Sequence, residues 1–140
     1  MSMKYDIIVI GGGHAGIEAC WIAAKKGVSV LLITGNLDFI GQMSCNPAIG
    51  GIAKGNIVRE IDALGGLMAK IADRAGIQFR MLNKKKGIAV WGNRAQEDRK
   101  KYRNLCRIAL EQIENIHLFQ GMVARLEEAH GKVTGVITQS

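Results

Sequence analysis

The most constraining feature of this chain is the glycine pattern Gly11-x-Gly13-x-x-Gly16, which directly follows an apolar run and opens a helix-like segment. Residues 5–10 read YDIIVI, which predicts a strand buried on both faces. At this junction Gly11 permits a tight turn, Gly13 leaves room for a pyrophosphate beside the backbone, and Gly16 lets helix and strand pack closely. The N-terminus of the following helix attracts phosphates through its free N–H groups and dipole. The pattern therefore predicts a dinucleotide-binding turn.

The segments around this turn predict a β-α-β unit. A helix is expected over residues 15–26, with Gly27 in the position that ends it, and a second buried strand over residues 28–33. Further along the chain, the patterns predict a glycine-containing loop over 35–55 and a helix from 57 that is interrupted at Gly65-Gly66. A strand over 77–81, a basic connection over 84–93 and a helix over 95–114 are expected next. The chain is then expected to form a core strand over 116–119 and a hairpin of 122–126 with 133–138 that turns near His130-Gly131. The fold class expected is α/β, a partial doubly wound parallel sheet with a C-terminal antiparallel hairpin, in a single unit over residues 1–140.

The second strand bears on the identity of the dinucleotide. Dinucleotide sites that hold a ribose through a carboxylate place Asp or Glu at the end of this strand. Here Thr34-Gly35-Asn36 occupies that position and the first acid is Asp38. Thr34 or Asn36 is the candidate ribose contact, and the absence of arginine argues against an NADP 2′-phosphate. This reasoning favours FAD over NAD.

Charge is unevenly distributed along the sequence. The net charge is +7, yet residues 70–107 contain twelve basic and three acidic side chains, a local charge of +9. Such a block is typical either of a surface that meets phosphate or nucleic acid or of a solvated helix face. Contacts with nucleic-acid phosphate are expected from Lys84–Lys86, Arg94, Arg99 and Arg103.

Cysteine number and hydropathy exclude several classes of protein. Cys20, Cys45 and Cys106 are too few and too scattered for a disulfide framework or a zinc ribbon, and no metal site is predicted. Cys20 and Cys106 are expected in the core, whereas Cys45 is the candidate catalytic nucleophile or simply a small loop residue. No apolar run approaches the length of a membrane helix, so a cytoplasmic protein is expected.

A second glycine-rich segment, GQMSCNPAIGGIAKG at 41–55, points to a particular family. Together with IIVIGGGHAGIEA, EIDALGGLMAK, GIQFRMLN and RAQEDR, it resembles the N-terminal region of the MnmG family, also called GidA. The SCNPAIGG string is the most specific of these matches. The resemblance runs from residue 5 to residue 138, although family members are several times longer than 140 residues.

The resemblance implies an FAD domain of the glutathione-reductase type. Family members act with the GTPase MnmE to install an aminomethyl or carboxymethylaminomethyl group at C5 of the wobble uridine of tRNA, with a folate as the source of a methylene unit. NADH reduces the flavin, and the complete enzyme is expected to be a homodimer. The 140 residues alone are not expected to carry out this reaction.

The resemblance also assigns site residues. The FAD pyrophosphate loop corresponds to Gly11, Gly12, Gly13, His14, Ala15 and Gly16, and Val123 corresponds to a residue whose backbone contacts the adenine end of the nucleotide. Ile88, Trp91 and Gly35 depart from the usual family residues. A folate- and FAD-dependent tRNA uridine methyltransferase is the alternative enzyme. A non-catalytic nucleotide-binding or interaction module is the alternative of another class.

Overall fold

The parallel sheet predicted around the glycine turn is present. The computed structural model describes residues 4–139, and its first unit is β1 (Ile7–Ile10), α1 (His14–Lys25) and β2 (Val30–Thr34). A later strand, β6 (Ile116–Gln120), joins them in the order β1-β2-β6, with all pairs parallel. The predicted β-α-β unit and the existence of a third strand are therefore confirmed. The expectation that this third strand lies in the core is wrong, because only Ile116 of β6 is buried and Phe119 is 41% exposed. Gly27, at φ +83, follows the C-cap of α1 as expected.

Alternate residues of β2 face opposite sides of this sheet, as strand geometry requires. Val30 and Leu32 are fully buried in the core beneath α1 and α4 (Arg99–Glu111). Leu31 and Ile33 instead line a groove of about 660 Å³ with residues of the C-terminal hairpin. The hairpin thus lies over the face of the sheet that the two helices leave uncovered.

β1 is less buried than its sequence predicts. Ile7 is 40% and Ile10 is 53% exposed, so the expectation of a strand buried on both faces is wrong for β1. The reason is its place in the sheet: β1 is an edge strand that pairs only with β2 within residues 4–139. A continuous apolar run shows that a strand is suited to burial on both faces, but the elements packed around the strand determine how much of it is buried.

The segment between β2 and β6 forms a separate small antiparallel sheet. Its strands are β3 (Ala48–Gly50), β4 (Gly76–Leu82) and β5 (Gly92–Glu97), in the order β3-β5-β4. Between β3 and β4 lie α2 (Lys54–Ala63) and α3 (Met68–Ala75), which are separated at Gly65-Gly66 as predicted.

Two predictions in this segment are wrong. Residues 92–97 are not a connection and the start of a helix but strand β5, because Ala95 pairs with both Ile49 and Phe79. The following helix begins at Arg99, where the Asp98 side chain caps it by accepting hydrogen bonds from the N–H groups of Lys100 and Lys101, both at 3.0 Å. The loop expected over residues 35–55 contains β3 and a short 3₁₀ turn, Leu37–Phe39.

The C-terminal hairpin is confirmed, with longer strands than predicted. β7 (Val123–Ala129) pairs with β8 (Lys132–Thr138) in antiparallel register. His130 and Gly131 both have positive φ, at 54° and 73°, which is the backbone of a tight two-residue hairpin turn.

Candidate functional site

The glycine turn between β1 and α1 is held from both sides by backbone hydrogen bonds. The N–H of Gly11 donates to the Ile33 carbonyl at 2.8 Å, and the Gly12 carbonyl accepts from the Gly41 N–H at 2.9 Å. Gly11 has φ +105°, a conformation that glycine adopts without strain. The turn is thereby fixed against the carboxyl end of β2 and against the loop that follows it.

The glycines differ in what a side chain would meet. A Cβ at Gly16 would overlap the Gly11 carbonyl oxygen, so the close packing of helix on turn predicted for Gly16 is confirmed. A Cβ at Gly12 would lie 3.1 Å from both the Thr34 hydroxyl and Ile40. Gly13 is exposed, and a Cβ there would meet no described atom within 4 Å. Open space therefore lies beside the backbone at Gly13.

This space lies at the start of α1. Gly13 is the N-cap residue, it makes no side-chain cap, and the first turn of α1 carries no acidic residue. Helix N-terminal N–H groups without a side-chain cap favour an anion through hydrogen bonding and through the helix dipole. The chemistry of the turn fits a pyrophosphate.

His14 is the first residue of α1, and its ring is turned into the protein. Nε2 is buried and has no hydrogen-bond partner among residues 4–139, and the ring centroid lies 5.7 Å from that of Tyr102. Burial lowers the pKa of His14 below 6.5, although Glu18 opposes part of the effect. Burial of the ring therefore favours the neutral imidazole at the start of α1.

The end of β2 brings together three of the residues predicted from sequence. Thr34 is beside Gly12, and its carbonyl accepts a hydrogen bond from the Gly121 N–H at 2.9 Å. This bond places the segment leading to Val123 against the strand end, where a Cβ on Gly35 would lie 2.9 Å from the Met122 sulfur. The Asn36 side chain accepts from the Asp38 N–H at 2.8 Å and so caps the 3₁₀ turn.

Cys45 lies at an exposed position in the loop before β3. Its carbonyl accepts a 2.6 Å hydrogen bond from the guanidinium of Arg99. Cys45 and His14 line the same cleft of about 420 Å³, and Lys54 at the start of α2 lines it as well. His14 of the glycine turn and the SCNPAIGG loop thus border one cleft, although the 27 residues 17–43 separate the two motifs in sequence.

The two other cysteines are buried, as predicted. Burial raises the pKa of Cys20 to about 11 and that of Cys106 to about 12, so neither is a thiolate at neutral pH. Cys106 and Tyr102 are both buried in the same core cluster.

Sequence reasoning missed a buried carboxyl group next to this cluster. Glu97 is 2% exposed, and neither of its side-chain oxygens has a hydrogen-bond partner among the described residues. Burial, and secondarily Asp73, raise the pKa of Glu97 to about 7. Its position in RAQEDR gave no signal of burial, because a charged residue before a charged helix start is typical of a surface.

Some of the basic residues predicted to contact nucleic-acid phosphate instead make contacts within the chain. Lys84–Lys86 form an exposed 3₁₀ turn between β4 and β5. Arg99 is bound to the Cys45 carbonyl, and the guanidinium of Arg103 lies 5.6 Å from the centre of the Phe39 ring. Arg94 lies in β5.

Comparison with known proteins decides the family. A family model described as "Glucose inhibited division protein A" matches residues 6–140. The chain belongs to the GidA family. Its similarity to GidA of Aquifex aeolicus is 53% sequence identity in two crystal forms, with TM-scores of 0.92 and 0.93. The matches cover 96% and 97% of this chain but only 22% and 23% of the Aquifex chains, so it spans about a fifth of their length.

More distant similarities concern the fold alone. The GidA-related protein from Thermus thermophilus is 23% identical with a TM-score of 0.62 over 97% of this chain and 47% of that one. PqsL of Pseudomonas aeruginosa, a probable FAD-dependent monooxygenase, is 15% identical with a TM-score of 0.65 over 96% of this chain and 38% of that one. The α/β class predicted from sequence is confirmed.

Within residues 4–139, no helix is both long and apolar enough to cross a membrane. The same residues contain no group of three or more His, Cys, Asp or Glu side chains arranged to hold a metal ion.

Proposed function

We propose that this chain is the FAD-binding portion of a GidA-type enzyme that modifies C5 of the wobble uridine in tRNA. The group added is carboxymethylaminomethyl or aminomethyl, and an MnmE-type GTPase is the proposed partner. Membership of the GidA family and 53% identity to Aquifex GidA support this assignment. The single observation that carries it is the turn at residues 11–16, which combines an uncapped helix N-terminus with open space at Gly13.

The residues present fit the phosphates of FAD. The backbone N–H groups at the start of α1 would receive the pyrophosphate, and a Cβ at Gly13 would take up space beside them. Gly16 has no room for a side chain and Gly12 has little, so the two glycines help to set the shape of the turn.

The adenosine half of FAD would lie toward the end of β2. Thr34 is the proposed ribose contact, since its hydroxyl lies beside Gly12. Asn36 is the second candidate, although its side-chain oxygen already accepts the Asp38 N–H. The backbone of Val123 is brought to the same strand end by the bond between Gly121 and Thr34.

We assign the cleft of about 420 Å³ to the reacting end of the site. FAD, when bound, supplies hydride transfer, and NADH is the proposed reductant. Cys45 lines the cleft as an exposed thiol and is the candidate nucleophile, while burial favours the neutral form of His14, which lines the same cleft. The main role proposed for the chain's own residues is to bind and orient the cofactor.

Further proposals concern partners and setting. The exposed turn Lys84–Lys86 is proposed to supply part of the affinity for tRNA phosphates, within the basic segment 84–103. The complete enzyme is proposed to be a cytoplasmic homodimer. Since this chain spans about a fifth of the length of Aquifex GidA, we propose that it does not carry out the tRNA reaction unaided.

The test is the flavin content of the purified chain with and without Gly13→Val. Wild-type protein reconstituted with FAD is expected to show bound flavin by visible absorption, and Gly13→Val is expected to lose it while its circular dichroism stays unchanged. Gly55→Val is the matched control, because Gly55 lies in α2 and a Cβ there meets only an ordinary contact at 3.7 Å. Equal flavin content in the wild type and Gly13→Val would overturn the assignment of the turn.

A second assay separates cofactor binding from turnover. The chain is supplied with NADH, folate, MnmE and tRNA, and both NADH oxidation and uridine modification are measured. Flavin binding without modification is the expected result. Modification by the 140-residue chain as the sole GidA-type polypeptide would overturn the proposal that further family regions are required.

A further inference from the structure

The small antiparallel sheet places two arginines side by side. Arg80 of β4 and Arg94 of β5 are directly opposite each other in the register. Gln78 and Gln96 are opposite each other two positions further along, so the four side chains share one face of the sheet. Like charges directly opposite in a sheet are destabilising, so a negatively charged group between the two arginines would stabilise this pairing.

The described part of the chain does not supply that group. Within residues 4–139, the two ion pairs are both formed by Arg107, and neither Arg80 nor Arg94 forms one. The side chains of Gln78 and Gln96 likewise make no hydrogen bond there. Two guanidinium groups and two amide side chains therefore lie on one face without a carboxylate partner from residues 4–139.

These four residues surround a cavity. Together with Leu82 they line a space of about 190 Å³, and its lining contains no carboxylate. At about 30 Å³ per water molecule, the space holds a small oxyanion with some of its hydration. Gln78 and Arg80 are exposed whereas Arg94 and Gln96 are partly buried, so the cavity is open on the β4 side.

Acidic residues occur nearby, but in another cleft. Asp62 and Asp73 line a larger space of about 480 Å³ between the sheet and helices α2 and α3, and Arg80 and Arg94 border it as well. Neither carboxylate lies within ion-pair distance of either arginine, since the two ion pairs formed within residues 4–139 involve Asp38 and Glu111. The positive charge of the arginine pair is thus not neutralised from that side.

We propose that Arg80, Arg94, Gln78 and Gln96 form a binding site for a phosphate group. A guanidinium presents two parallel N–H donors that match the oxygens of a phosphate, and two such groups side by side can hold one tetrahedral oxyanion. The glutamine amides add neutral donors beside them. The site lies on a different sheet from the glycine turn and does not depend on FAD binding.

The phosphate group has two possible sources with the same chemistry, a small phosphorylated molecule or the backbone of RNA. The first experiment uses inorganic phosphate and the ¹⁵N-labelled chain, and it follows the Nε–H resonances of the arginines with chloride at equal ionic strength as the reference. Saturable shifts of Arg80 and Arg94 are expected with phosphate but not with chloride. Absence of a saturable shift would overturn the proposal.

Variants of Arg80 and Arg94 then test whether both arginines contribute to phosphate binding. Arg80→Gln and Arg94→Gln are each expected to weaken phosphate binding by about tenfold, because each removes charge-assisted hydrogen bonds. Arg80→Lys, which keeps the charge but loses the paired donors, is expected to bind less tightly than the wild type. The matched control is Arg125→Gln on β7 of the hairpin, which removes one positive charge at an exposed position outside this sheet and should leave phosphate affinity unchanged.

Circular dichroism checks the fold, and Arg80→Lys carries the test should a glutamine variant be unfolded. Equal affinity in the wild type and in folded Arg80 variants would overturn the proposal.

A final experiment adds a short single-stranded RNA to the chain in order to identify the source of the phosphate group. If RNA is the source, phosphate competes with it, and Arg94→Gln lowers the salt dependence of RNA binding by about 0.7 in slope. If a small phosphorylated molecule is the source, phosphate still binds but RNA does not displace it. None of these measurements depends on FAD. Failure of FAD binding would therefore contradict the proposed function but not the phosphate site, and failure of phosphate binding would contradict only the phosphate site.

Discussion

The two sheets of this protein are built in opposite ways. In the parallel sheet, Val30 and Leu32 are fully buried beneath helices, and the adjoining turn has no room for a side chain at Gly16. In the antiparallel sheet, Ile77 is 68% and Phe79 is 60% exposed although both lie in β4. The first is held by side-chain packing, whereas the second is held largely by backbone pairing, with its side chains available to other molecules.

This contrast predicts where substitutions are tolerated. Interiors that are closely packed respond to small changes in volume, and exposed positions respond little. Substitutions of the residues that connect the two regions, such as Glu18 and Glu97, are expected to change the free energy of unfolding by intermediate amounts.

The largest effect is expected at Gly16. Gly16→Val places a Cβ against the Gly11 carbonyl oxygen, and since both belong to fixed backbone we expect a loss of roughly 4 kcal/mol or more in the free energy of unfolding, or no folded protein. Urea denaturation followed by circular dichroism measures it. Gly13→Ala is the control and should change stability by less than about 0.5 kcal/mol. Comparable losses from the two variants would remove the distinction between a packing glycine and a ligand-facing one.

Glu97 is expected to make stability depend on pH. Its pKa is about 7 in the folded protein against an ordinary value of 4.5, so the folded state binds the extra proton between these values. The stabilisation is present below pH 4.5 and is lost as pH rises through 7, because the buried carboxylate is then charged without a partner. Glu97→Gln should remove this dependence and be more stable than wild type at alkaline pH by up to about 3 kcal/mol.

Denaturation midpoints of both proteins, taken on either side of this pH window, give the comparison. Glu114→Gln serves as the control, because Glu114 is exposed, forms no ion pair within residues 4–139, and its replacement leaves the buried carboxyl in place. If the Glu97→Gln protein kept the wild-type pH profile, the dependence would have to come from other groups.

Glu18 links the two regions and should give a smaller effect. From α1 its carboxylate accepts hydrogen bonds from the N–H groups of Leu67 at 2.9 Å and Met68 at 2.6 Å, which begin α3. Glu18→Ala leaves these donors without a partner and is expected to lower the free energy of unfolding by about 1–2 kcal/mol. Glu18→Gln keeps an acceptor oxygen and should lose less. Thermal denaturation of the two variants decides whether the hydrogen bonds or the charge matter.

The smallest effect on stability is expected in the exposed turn between β4 and β5. Replacing Lys84, Lys85 and Lys86 by Ala should change the free energy of unfolding by less than about 0.5 kcal/mol, because the three side chains are exposed. Nucleic-acid binding by the same variant should nevertheless show a weaker salt dependence. A marked loss of stability would show that this turn supports the small sheet.

Local spacing was enough to predict the glycine turn and its neighbours. The tight turn at Gly11, the close packing at Gly16 and the end of α1 at Gly27 each follow from residues a few positions apart, so no distant contact is needed to establish them. The hairpin turn at His130-Gly131 was predictable for the same reason.

The sequence by itself therefore determined the parallel β-α-β unit, the glycine geometry of its turn and, through the SCNPAIGG string, the family. Tertiary structure alone decided the rest. Ala95 became part of a strand because Ile49 and Phe79 flank it, Ile10 stayed exposed because β1 is an edge strand within residues 4–139, and Glu97 became buried where β5 packs against α3. Each outcome depends on partners distant in sequence, and helical or strand periodicity contains no information about which partners these are.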